Sequence, residues 1–172
     1  GGMPQAVEAF IKTNNFSKVD LVKRDILKLY ENDFMKFDSS GRSSLIFDHI
    51  PAELQKNASR YQISSVIENA RAGTMLERIA KLQDSKTVNI AYHANAPEAG
   101  LSQNIDLEKF KLFLCDTGLF VTLCFKDKEF TENIVRNSYH HLVQKLGHFV
   151  VHAEKGYCHE HEHHIHHKGP HP

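Results

Sequence analysis

The sequence predicts a mainly α fold with a small β-ribbon: a helical domain containing a winged helix-turn-helix, followed by a disordered His-rich tail. Three observations carry this. Apolar residues recur at three- and four-residue steps through much of positions 4–84. The period changes to alternation at Thr87. Histidine then concentrates abruptly, with eleven of thirteen lying after Phe130, and such a shift marks a boundary. The divisions that follow are a domain over 1–128, a helical extension over 129–155 and a disordered tail over 156–172. In that tail apolar side chains are too sparse to offset the entropy of ordering.

Pro4 suits the first turn of a helix, where its missing N–H would be unpaired anyway, and Val7, Phe10 and Ile11 follow at helical spacing. Ser17 and Asp20 form a capping-box pattern, with Asp in place of Glu. It opens a long amphipathic helix over about 17–37, built on Val19, Val22, Ile26, Leu29, Tyr30 and Phe37. A second helix spans about 42–56 through Leu45, Ile46, Ile50 and Leu54, with a kink or restart at Pro51, which removes one backbone donor. A short helix runs from Ser64 or Ser65 through Ile67 to Ala70. Gly73 makes a turn, and Thr74 with Glu77 caps a helix carrying Met75, Leu76, Ile79 and Leu82.

Val88, Ile90 and Tyr92 alternate with their neighbours as a strand, Asn95–Asp106 reads as a loop, and Phe110, Leu112 and Leu114 return as a second strand. Helix, short helix, turn, helix and ribbon is the order of a winged helix-turn-helix. Asp116 caps a last apolar helix over 118–125.

Composition narrows the function classes. A zero formal net charge argues against bulk nucleic acid or an anionic membrane surface as partner. No apolar run approaches the roughly 18 residues needed to span a bilayer. Cys115 and Cys124 sit in apolar company, read as buried thiols, and Cys158 completes no CxxC pair; this suits a reducing cytoplasm. No Gly-rich loop ends in Lys-Ser/Thr, so the residues provide no phosphate cradle, and no catalytic constellation is present.

Five strings suggest a family: GGMPQAV at the start, RDILKLYENDFMKF at Arg24–Phe37, IP at Ile50-Pro51, RYQISSVIENARA at Arg60–Ala72 and KLFLCDTGL at Lys111–Leu119. Together they resemble domain of unknown function 4143, the conserved part of prokaryotic AAA-type ATP-binding proteins, over roughly residues 1–128. That resemblance implies an upstream ATPase domain holding ATP and Mg, which this stretch lacks. It also implies a non-catalytic regulatory or partner-binding role for the chain, with a protein partner of unknown identity. GGMPQAVEAF then reads as a junction inside a longer protein, and Ile134–Pro172 departs from the family pattern.

Two further readings rest on particular residues. Arg78 and Lys81 could contact DNA from the helix 74–84, but Glu77 and Asp84 share its exposed face, and a recognition surface is biased toward cations. His159, His161, His163, His164, His166 and His167 can chelate Ni or Zn once deprotonated, although no scaffold fixes their geometry. His140 and His141, on a helix over 131–146, read as surface residues, and His49 reads as a satisfied, partly buried histidine. Lys23, Arg24 and Lys28, interleaved with Asp20, Asp25 and Glu31, read as an ordinary solvated face.

Overall fold

Two adjacent asparagines turn the first helix back against the second. The computed structural model describes residues 2–56, 58–94 and 105–128. α1 (Pro4–Thr13) starts on Pro4 and ends at Asn14, whose φ of 46° is left-handed and whose N–H donates to Phe10 O. Asn15 then caps α2 (Phe16–Phe37), its Oδ1 accepting from Ser17 N at 2.8 Å and Lys18 N at 3.3 Å. The expected Ser17 cap is therefore two residues out. Asn fills both roles because its amide tolerates the left-handed region and accepts locally. Asp20 does no capping; it is buried, facing the last helix of the domain.

α2 supplies one wall of the core through Leu27 and Phe34, seven residues apart on one face. The Phe34 ring meets Phe47 at 5.1 Å between centroids, and Tyr30 meets Phe47 edge-on at 6.3 Å. The stretch expected over 42–56 is two helices, α3 (Arg42–Asp48) and α4 (Ile50–Gln55), broken at His49 with Pro51 in the first turn of the second. This is the restart that a missing donor requires. His49 itself is exposed rather than partly buried, with Nδ1 2.9 Å from Leu45 O.

α5 (Ile63–Val66) is one turn only, because Ile67 goes extended and buries its side chain; the expected run to Ala70 does not form. α6 (Ala72–Asp84) begins before Thr74, so Gly73 lies inside the first turn rather than making a turn. A Cβ on Gly73 would sit 2.7 Å from Glu108 Oε1, so glycine admits a carboxylate at the helix start. Thr74 is no cap: its hydroxyl donates to Arg71 O.

β1 (Val88–Ala94) and β2 (Ile105–Leu114) form an antiparallel ribbon pairing Val88 with Leu114, Ile90 with Leu112 and Tyr92 with Phe110. The register then slips to His93 opposite Asp106, leaving Leu107, Glu108 and Lys109 unmatched; Glu108 is the residue that reaches Gly73. Phe110, Leu112 and Leu114 are buried as the alternation predicts. α7 (Thr117–Cys124) is capped by Asp116, whose Oδ1 accepts from Leu119 N at 2.8 Å, and it buries Leu119, Phe120 and Leu123. The described residues are thus mainly helical with one small antiparallel ribbon. The expected extension over 129–155 and tail over 156–172 lie outside the described residues, as does most of the Asn95–Asp106 loop.

Candidate functional site

The charged clusters of the domain are turned on the fold itself. At the seam between α2 and α7, Asp20 accepts from Arg24 Nε at 2.6 Å and from Thr122 Oγ1 at 3.3 Å. The rest of the Arg24 guanidinium donates to Phe125 O, Lys126 O and Lys128 O at 3.1, 2.8 and 2.6 Å. Arg24 thus holds the carbonyls at and beyond the end of α7, and the reading of it as part of a solvated face is corrected. Lys126 adds a second hold, donating to Glu31 at 2.5 Å and to Asp48 at 2.8 Å. Burial works against its charge, but these two carboxylates outweigh it and raise its pKa. Burial pushes the Asp48 carboxyl up; its Oδ1 has no hydrogen-bond partner among the described residues.

Asp38 closes the turn between α2 and α3. Its Oδ2 accepts from Ser43 N at 2.8 Å, Ser43 Oγ at 2.7 Å and Arg78 Nε at 3.1 Å, while Oδ1 accepts from Ser40. Burial would raise its pKa, but the Ser40 and Ser43 hydrogen bonds and the Arg78 charge hold it well below the usual carboxylate range. Glu53 behaves likewise on α4, accepting from Lys56, Ser65 and Gln62 N.

These contacts place the residues singled out for DNA. Arg78 is committed to Asp38 across forty positions of sequence, and Lys81 pairs with Glu77 at 2.7 Å along α6. The six tail histidines, 159 to 167, and His140 and His141 lie outside the described residues. Among the described residues no group of three or more His, Cys, Asp or Glu side chains could hold a metal. Cys115 is exposed, not buried as expected; Cys124 is partly buried, and burial pushes its thiol up to about 12. A shallow hollow between α4 and β2, lined by Glu53, Arg60, Tyr61 and Lys111 among others, has room for no more than about one water molecule.

The feature left over is apolar. On α1, Ala6 is buried and Met3 packs on the core, whereas Val7 is 44% exposed and Ile11 77%. With Pro4, also exposed, they form a stripe at three- and four-residue steps along the outer flank of α1. Phe10, partly buried on the same helix, meets Phe16 at 4.7 Å between tilted rings, and Phe16 is itself 55% exposed. The sequence placed Val7 and Ile11 at helical spacing. That spacing could not show that α1 packs chiefly on α2 and leaves Val7 and Ile11 exposed among the described residues.

Among the described residues the domain is mainly helical, and its first helix presents an exposed apolar flank. The chain belongs to a family described as domain of unknown function (DUF8612), whose profile matches residues 1–130. The resemblance to domain of unknown function 4143 is thereby corrected, and with it goes the link to AAA-type ATP-binding proteins, their ATP and their Mg. The strings that suggested it are largely amphipathic-helix patterns, which unrelated helical domains share because burial imposes the same period. No curated protein matches the chain. No solved structure matches it either. No helix among the described residues is long and apolar enough to cross a membrane.

Proposed function

We propose that this domain is a non-catalytic protein-binding module whose contact surface is the outer flank of α1. The observation that carries this reading is the exposed stripe of Pro4, Val7 and Ile11, continued by the Phe10–Phe16 pair at the hairpin turn. Single exposed apolar residues are ordinary on any protein, but a run at helical spacing is what a helix shows to a partner. The polar clusters support the same reading from the other side, since each is occupied in holding elements of the fold together.

The rival reading is a winged-helix DNA-binding module with α6 as the recognition helix. It has less support, because Arg78 and Lys81 already serve Asp38 and Glu77 and the chain carries no net positive charge. Metal binding through the tail histidines rests on composition alone.

A photoreactive amino acid placed at Ile11 tests the proposal in cells, with Asn32, an exposed residue of α2, as the control position. Crosslinks into protein at position 11 and few at position 32 are expected. Equal yields at both positions, or crosslinks into nucleic acid, would overturn it.

A further inference from the structure

We propose that the partner seated on α1 is a second copy of this chain, packed antiparallel across the Val7–Ile11 stripe. This rests on the reading of α1 as the contact surface and names its occupant. The argument is one of charge and symmetry. Beside the stripe, Glu8 and Lys12 pair along the helix while both side chains stay more than half exposed. A two-fold axis perpendicular to the helix reverses the order of residues, so an antiparallel copy sets Glu8 of one helix against Lys12 of the other, twice over. A parallel copy would set like charges together. The same reversal brings Val7 of one copy to Ile11 of the other with an offset of about 3 Å along the axis, so that apolar side chains meet within one turn.

Zero formal net charge adds no long-range repulsion between copies. The patch is small beside the roughly 800 Å² per partner of a stable complex. Association in the micromolar range is therefore expected, and not an obligate dimer.

Sedimentation equilibrium of the full chain, in EDTA so that the tail histidines cannot bridge copies through metal, reads the outcome. The unmodified chain should pass from monomer to dimer with rising concentration. Ile11→Glu should weaken dimerisation by about tenfold or more. Glu8→Lys and Lys12→Glu should each weaken it several-fold, and an equimolar mixture of the two should recover it, because the unlike copies now complement each other. Each variant keeps its own helix defect in the mixture, so recovery can only arise across the interface. A chain that stays monomeric up to about millimolar concentration, an Ile11→Glu variant that dimerises unchanged, or a mixture no tighter than its components would each overturn the proposal. A monomeric chain whose position 11 still crosslinks to a different protein would overturn the second copy while leaving the protein-binding reading in place.

Discussion

The α2–α7 seam and the outer flank of α1 solve opposite problems within one small domain. At the seam a buried carboxylate meets a partly buried guanidinium, and three further donors of Arg24 find carbonyls. Such a group is costly to bury and costlier still to orphan, so each member of the network depends on the others. Along the flank of α1, Val7 and Ile11 stand exposed among the described residues. The difference separates residues that hold the fold from residues available to something outside it. Polarity alone would have sorted them the wrong way round, with the charges taken for surface and the aliphatics for core.

The largest expected effect breaks the seam. Arg24→Ala leaves Asp20 buried without its main partner and strips three carbonyls, and should cost about 3 kcal/mol of stability, read as a fall in the urea midpoint. A cost below about 0.5 kcal/mol would mean that the network is no more than a surface ion pair, and the contrast with α1 would fail.

Asp38→Asn should cost somewhat less, about 1–2 kcal/mol, since it keeps the shape of the turn while losing the charge that Ser40, Ser43 and Arg78 serve. The pH dependence has a definite sign. The folded carboxyl lies below its unfolded value, near about 3.9, so its contribution is complete above that value. It is lost as pH falls through the folded value, because the unfolded chain binds the proton first. Urea midpoints measured from neutral to about pH 3 should therefore fall more steeply for the unmodified chain than for the variant.

Gly73→Ala is a finer probe of the contact between the ribbon and α6. Alanine favours the helix by up to about 1 kcal/mol, but its Cβ displaces the Glu108 carboxylate from the helix start. The two effects should nearly cancel. In a Glu108→Ala background the same change should stabilise by about 0.5 kcal/mol, and thermal melts of the four-member cycle measure the coupling. The smallest change in stability belongs to Ile11→Glu, within about 0.5 kcal/mol, although it is the variant expected to weaken association most. A large loss of stability there would place Ile11 in the fold and remove the α1 half of the contrast.

What the amino-acid sequence determined by itself is the set of elements whose cause is local. The long α2, the restart at Pro51, the alternation of Phe110, Leu112 and Leu114 and the Asp116 cap all follow from period, a missing donor or a side chain bonding its own backbone within a few residues. Tertiary structure decided everything that depends on residues far apart in the chain. Arg24 reaches carbonyls a hundred residues away, Arg78 reaches Asp38 across forty, and Glu108 explains a glycine that the sequence marks as a turn. The exposure of Val7 and Ile11 belongs here too. An apolar stripe states that a helix has a face to cover, and only the packed molecule shows which faces its own chain has already covered.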